Sequence, residues 1–332
     1  MKRTFALLPV VALVFAGLAL FSCEKDKNTT NNNNTNVPVI HDEGVEGALS
    51  GLFTVSANRQ VYFSKGNLQY TTDGTRAVAD GGTRQGTWRF AENQWDTIGA
   101  ENRNISPTYN GWIDLFGWGT SGYHNPDDQY NTNYNPYDTS SAIVNTSYNN
   151  YGYGPSTNMA DINLTGTSAN YDWGTYNAIS NGGNQPGMWR TLTQTEWDTL
   201  FNHRKTSSGI RYALGTVNGV PGLIIVPDNW KASTYALKST NNPNTSMNAN
   251  VINASQWTAL EKAGCAFLPA AGCSGRLSVR QVGVVGYYWS ASGRGGIGIY
   301  AYGMSFAEFN FSLKWQEGRF GRLSVRLVRD AK

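Results

Sequence analysis

The sequence predicts a strand-rich α+β domain with two short helices and long loops, and three observations carry that reading. The chain closes on Gly321-Arg-Leu-Ser-Val-Arg-Leu-Val-Arg329, where Leu323, Val325 and Leu327 alternate with Ser324, Arg326 and Val328 at the period of a strand. Ile210, Tyr212, Leu214 and Thr216 alternate likewise, Asn218-Gly219 offers a type I′ turn, and Val220 to Val226 returns as the second arm of a hairpin. Helical signals, by contrast, occur in only two places, each followed by a few apolar residues on one face.

Taken in order, the chain begins with Lys2 and Arg3, an uncharged apolar run from Phe5 to Phe21, and Leu20-Phe-Ser-Cys23. A hydrophobic run that stops at a cysteine preceded by a small residue reads as a lipoprotein signal, residues 1–22, with Cys23 lipidated as the first mature residue. An ordinary signal peptide or a membrane span is the alternative. Several acyl chains, at ~0.8 kcal/mol per buried methylene, hold a protein on a bilayer where one chain does not. Residues 23–47, with the run Asn-Thr-Thr-Asn-Asn-Asn-Asn-Thr-Asn at 28–36, have too little apolar material for a core and read as a tether.

The folded domain is expected over 48–332. Leu52, Phe53 and Val55, a turn at Ser56 to Arg59, then Val61, Phe63, Leu68 and Tyr70 predict short antiparallel strands. Trp88, Phe90 and Trp95 form an aromatic group suited to a core. From Ile105 to Gly187 the sequence is dominated by Asn, Tyr, Gly, Thr and Ser, with Trp112-Ile-Asp-Leu-Phe-Gly-Trp118 and Asp172-Trp-Gly174 as expected anchors of long irregular loops. Thr193-Gln-Thr-Glu196 is a capping box, after which Trp197, Leu200 and Phe201 share a helix face. A second helix is expected at about Ser255 to Lys262, presenting Trp257 and Leu260 and stopped by Gly264.

Charged residues are only 15% of the 332, and the formal net charge is +3. A polar but weakly charged surface suits a protein outside the cytoplasm. Residues 271–332 hold nine Lys/Arg against three Asp/Glu, but no nucleic-acid recognition motif accompanies that excess, so no nucleic-acid partner is expected. The phrase Gly275-Arg-Leu-Ser-Val-Arg-Gln-Val282 repeats the wording of the C-terminus; eight residues are too few for a solenoid, and coincidence or local duplication accounts for them.

Material for catalysis is thin. His41, His124 and His203 are isolated, and no metal-ligand spacing or nucleophile elbow occurs. Asp127, Asp128, Asp138 and Asp161 offer oxygen ligands for calcium without EF-hand spacing, and solvated loop carboxylates are the preferred reading, so no cofactor is expected. Cys265 and Cys273 stand eight residues apart, ~26 Å if extended, which a disulfide spans only where the segment folds back; free buried thiols and a disulfide both remain open.

Three phrases carry a resemblance. Trp189-Arg-Thr-Leu-Thr-Gln-Thr-Glu-Trp197 resembles the helix start of the formylglycine-generating-enzyme type of C-type lectin fold, and Gly286-Tyr-Tyr-Trp-Ser-Ala-Ser292 and Ser324-Val-Arg-Leu-Val-Arg329 look like its closing strands. Residues 48–332 as a whole resemble secreted lipoproteins related to the variable proteins of diversity-generating retroelements, in which codons near the C-terminus are rewritten at adenines. The resemblance implies an outer-membrane lipoprotein, anchored by lipid and exposed at the cell surface, that binds an unidentified protein or glycan through a variable C-terminal face. It also brings alternatives: an oxidase or glycan-active enzyme of the same fold, or a structural surface component. The cysteines do not stand in that oxidase's active-site context. Asparagine codons altered at adenines give no Lys, Trp, Gln or Glu, so Lys314-Trp-Gln-Glu317 departs from active rewriting.

The candidate ligand-binding residues are Tyr287, Arg294, Tyr300, Tyr302, Phe309, Phe311, Trp315 and Arg319, with Ile297, Ile299 and Phe320 beside them. Tyr, Trp and Arg supply rigid contact area and directional hydrogen bonds. About half of this set is expected to face inward as ordinary strand residues.

Overall fold

The computed structural model describes residues 45–72, 86–105, 109–123, 136, 163–275, 278–294 and 300–332. Four strands come first, β1 (Phe53–Ser56), β2 (Arg59–Phe63), β3 (Leu68–Thr72) and β4 (Gly86–Phe90). Helix α1 (Trp173–Tyr176), β5 (Arg190–Thr191) and α2 (Gln194–Asp198) follow, then β6 (Tyr212–Val217), β7 (Val220–Ile225), β8 (Val251–Ile252), α3 (Ala254–Lys262) and β9 (Ala266–Pro269). Strands β10 (Cys273–Ser274), β11 (Val279–Arg280), β12 (Val285–Gly293), β13 (Tyr300–Ala307), β14 (Asn310–Gly318) and β15 (Leu327–Asp330) complete the order. The domain is therefore α+β and dominated by small sheets, none of them closed into a barrel among the described residues.

The local signals explain most of these elements. Asn218 and Gly219 have φ of 50° and 81°, the pair of positive values a type I′ turn requires, and β6 and β7 pair in register from Val217↔Val220 to Tyr212↔Ile225. At α2 the Thr193 hydroxyl accepts from the Glu196 amide while the Glu196 carboxylate accepts from the Thr193 amide at 2.9 Å. That helix lasts only five residues before a π-helical turn, Thr199–His203, which keeps Trp197 and Phe201 stacked at 5.9 Å. Helix α3 has a capping box of its own, Asn253 with Gln256, which extends it one residue earlier than the apolar spacing indicated.

The C-terminal strand is tied into a sheet of order β1-β2-β15-β5. Only its second half forms a regular ladder, however. Leu323 and Ser324 make isolated bridges to Phe116 and Tyr288, and every residue from Leu323 to Val328 is buried, so the alternation does not separate an inner from an outer face. Arg326 is the residue the pattern misplaces. Its guanidinium is fully buried, donating to Gln94 Oε1 at 2.8 Å and to Asn67 Oδ1 at 3.5 Å.

The sheet β12-β13-β14 lies between two cores. Tyr287, Trp289 and Ala291 point into a cluster with Trp88, Phe116, Trp118, Trp173 and Trp189, whereas Tyr288, Met304 and Phe306 point into one with Phe53, Phe63, Trp197, Phe201 and Leu268. A third cluster packs Trp257 and Leu260 of α3 on Ile224 and Phe267. The expected anchors Trp118 and Trp173 are fully buried and hold the irregular segments around them. The signal, residues 23–44 of the tether, His41, His124 and the four loop aspartates lie outside the described residues, as do Ile297 and Ile299, whereas Val45 to Gly47 belong to the folded domain, Gly47 buried and accepting from the Lys65 amide at 2.8 Å.

Candidate ligand-binding face

Strand alternation on β12 to β14 sorts the sequence-derived candidates. Trp289, Gly303 and Trp315 lie in one cross-strand row, since Trp289 pairs with Gly303 and Gly303 with Trp315. With no side chain at 303, the indole of Trp315 reaches across the middle strand to Tyr287, ring centroids 5.2 Å apart and tilted by 49°. Glycine is required at 303 for a second reason: a Cβ there would sit 2.6 Å from the Tyr288 carbonyl oxygen.

Around this ring pair stand groups the sequence reading did not select. The Tyr287 hydroxyl donates to Gln281 Oε1 at 2.9 Å. Gln281 has φ of 60°, a conformation side-chain-bearing residues seldom take, in the turn that joins β11 to β12. Cys273 and Arg280 are Cα partners across β10 and β11. Burial pushes the Cys273 thiol up, with the Arg280 guanidinium, hydrogen-bonded to it, pulling back and the Glu317 carboxylate adding to the rise. Burial also raises the Tyr287 phenol, and Cys273 and Glu317 beside it add to that. The result is an aromatic pair rimmed by an amide, a cation and a carboxylate. Tyr287 is 7% exposed and the Trp315 indole nitrogen is buried, so what this set offers to solvent is the partly exposed Trp315 ring with the donors and acceptors around it.

The other candidates are placed elsewhere. Tyr300 and Tyr302 fall, by alternation, on the opposite face of the sheet, where both are partly exposed; the Arg294 guanidinium lies 5.7 Å from the Tyr300 ring centroid. Phe311 is a wall of the second core, stacked on Tyr212 at 5.4 Å and edge-on to Phe201 at 5.1 Å. Phe309 stands at the tip of the β13–β14 hairpin, 61% exposed. Arg319 is buried, 4.6 Å from the Trp118 ring centroid, so the expectation that it faces ligand is corrected: the residue lies inside, against an aromatic face. Phe320 beside it is exposed. The candidates therefore do not share one surface: Trp315 is partly exposed, whereas the expectation that Tyr287 faces ligand is corrected, since its ring is buried in the first core.

Both described cysteines are free and buried, which decides between the alternatives left open by their spacing. Cys265 lies against the α3 core, and burial raises its thiol far above the ordinary range. Protonated thiols are poor nucleophiles and poor metal ligands. Among the described residues no group of three or more His, Cys, Asp or Glu side chains comes together to hold a metal ion. His203 pairs with Asp198 at 3.1 Å on the surface.

A separate cleft of about 370 Å³ is lined by Thr175, Gly187, Met188, Trp189, Arg190, Arg329 and Asp330. Its principal cation is committed to structure: Arg190 binds both oxygens of Glu196 at 2.8 Å and Asp330 at 2.7 Å, joining β5, α2 and β15. The cleft shares no residue with the Tyr287–Trp315 surface.

The first copy of the repeated phrase was the available sequence signal for Arg280 and Gln281, because a polar Gln281 stands where the second copy has Leu327. The protein is defined by these observations as a strand-rich α+β domain with an aromatic and polar surface on its C-terminal sheet. Comparison of the chain with protein-family models, with curated proteins and with solved structures finds no match.

Proposed function

We propose that the chain is a lipid-anchored protein of the outer membrane, displayed at the cell surface, whose C-type lectin-like domain binds a protein or glycan ligand through its C-terminal face. The observation that carries the binding reading is the partly exposed Trp315 ring, backed by the buried Tyr287 and flanked by Gln281, Arg280 and Glu317. Residues of these types supply most of the energy of recognition surfaces, and they stand here on a sheet held rigid by two cores. The anchoring reading is supported by Cys23 at the end of the apolar run and by the uncharged Asn/Thr segment after it. The finer fold assignment rests on the wording of Trp189–Trp197, Gly286–Ser292 and Ser324–Arg329.

Two experiments test the proposal. Radioactive palmitate labels the wild type and not Cys23→Ala; equal labelling of both refutes the anchor. Cells displaying the protein are cross-linked to a library of surface proteins and glycans, and the captured species are compared with those of Arg280→Ala and Glu317→Ala. Loss of a captured species in both variants, with folding preserved, is the expected result. Identical capture by all three proteins overturns the face.

A further inference from the structure

The β13–β14 hairpin carries a feature that folding alone does not explain. Ala307 pairs with Asn310, so Glu308 and Phe309 form a two-residue turn, and Phe309 has φ of 59°. That conformation belongs to glycine and asparagine; for a bulky side chain it is an outlier that costs stability. Burial does not offset the cost, because Phe309 is 61% exposed, with its exposed neighbours Glu308 and Asn310. Backbone strain at an exposed aromatic points to a contact made outside the molecule.

The tip is also held in place. The Phe309 amide donates to the Thr245 carbonyl at 3.0 Å, and Thr245 is buried. At the root of the same strand Phe311 is stacked on Tyr212. The hydrogen bond brings Phe309 and Asn310 beside the loop 241–250, which reads Asn-Asn-Pro-Asn-Thr-Ser-Met-Asn-Ala-Asn. Asn244 and Asn248 are exposed there, and their backbone amides are already bound, to Asn242 Oδ1 at 3.0 Å and Ser246 Oγ at 3.1 Å. The side-chain amides of Asn244, Asn248 and Asn310 make no hydrogen bond among the described residues.

We propose that this hairpin tip and the neighbouring asparagine loop form a binding site for a neutral glycan. The proposal rests on the ligand-binding reading above and names one ligand class and a place for it. An exposed phenyl ring presents its electron-rich face to the C–H groups of a sugar ring. Each asparagine amide both donates and accepts, as sugar hydroxyls require. Glu308 is the only charged residue of the turn, and the loop 241–250 carries none, which favours an uncharged ligand. Size points the same way: a stable protein interface covers ~800 Å² per partner, far more than one ring and three amides supply.

The test uses affinity electrophoresis of the full chain in gels containing laminarin, mannan or glycogen, with polygalacturonate as a charged control. At least one neutral polysaccharide retards the wild type; Phe309→Gly weakens that retardation by about tenfold or more, and Phe309→Tyr retains it. The melting temperature of Phe309→Gly equals or exceeds that of the wild type, because glycine releases the strain and no core contact is lost. No retardation by any neutral polysaccharide overturns the proposal, as does equal retardation of Phe309→Gly or a clear drop in its melting temperature. If Phe309→Gly binds as the wild type does while Arg280→Ala does not, the tip fails and the ligand-binding reading survives.

Discussion

Trp118 and Trp289 are bound to each other's strands reciprocally. The Trp118 indole donates to the Ser290 carbonyl at 2.8 Å, and the Trp289 indole donates to the Phe116 carbonyl at 2.7 Å. Both rings are fully buried. Two tryptophans thus fasten the irregular segment 112–118 to the middle of the C-terminal sheet, the Phe116 carbonyl accepting from the Leu323 amide at 3.0 Å as well as from Trp289.

Trp289→Phe keeps most of the apolar volume and removes one of the two donors to the Phe116 carbonyl, which keeps the Leu323 amide at 3.0 Å. A loss of about 2 kcal/mol is expected, combining one lost hydrogen bond with the space left by the smaller ring. Thermal melting should fall by several degrees, at about 2–4 °C per kcal/mol for a domain of this size. Combined with Trp118→Phe, the double variant should lose less than the sum, since both changes free the same segment. Full additivity would separate the two bonds.

Asp114 gives a dependence on pH. It is fully buried, accepting from the Ile98 amide at 2.8 Å and from Asn102 Nδ2 at 2.7 Å, and burial pushes its carboxyl up from 3.8 to about 6. The folded state therefore holds the proton more tightly than the unfolded chain. Its contribution is fully present below pH ~4 and is lost as pH rises through about 6, a change of about 3 kcal/mol. Urea titrations from pH 4 to 7 should show Asp114→Asn gaining on the wild type as pH rises. Parallel curves would rule the ionisation out.

Arg326 is buried with no carboxylate in contact among the described residues, and burial lowers its pKa from 12.5 to about 10. Its acceptor Gln94 Oε1 also receives the Phe267 amide at 2.7 Å, so that oxygen stays satisfied if the guanidinium is removed. Arg326→Met should consequently lie within about 1 kcal/mol of the wild type, whereas Arg326→Ala should cost about 3 kcal/mol through the cavity. Denaturant midpoints of the two variants decide the matter. Equal losses would assign the stabilisation to the charge.

Glu196 combines two tasks, capping α2 and binding Arg190 through both oxygens. Glu196→Gln retains an acceptor for the Thr193 amide and loses the charge; Glu196→Ala loses both. The alanine variant is expected to cost about 2 kcal/mol and the glutamine variant about half of that. Chemical denaturation measures both, and equal costs would mean that the cap contributes nothing.

What the sequence makes legible is local. The capping box at Thr193, the Asn218-Gly219 turn and the burial of Trp289 follow from a few adjacent residues, and each is found where the wording places it. Position across the sheet is different in kind. Tyr287 and Trp315 meet because Gly303 lies between them on the middle strand, and Phe311 and Arg319 turn inward because their neighbours are Tyr212 and Trp118. A β-bulge between Gly303 and Ser305 shifts the register of β14, so period two counted along that strand does not carry through to the partner. Those relationships join residues far apart in the chain.

The repeated phrase has a consequence for how the molecule folds. The residue just before the first copy touches the second: Ser274 and Arg322 exchange amide-to-carbonyl hydrogen bonds of 2.9 and 2.8 Å at the head of the second copy. In that copy Val325, Arg326 and Leu327 are fully buried, while Arg280 and Gln281 of the first are exposed. Two segments with the same six opening residues thus offer the same side chains to one interior slot, which the second copy fills. The seventh position breaks the tie, because Gln281 in the place of Leu327 would carry an amide into an apolar cluster. Gln281→Leu removes that discrimination and should populate a slow-folding species in which the first copy occupies the slot of the last.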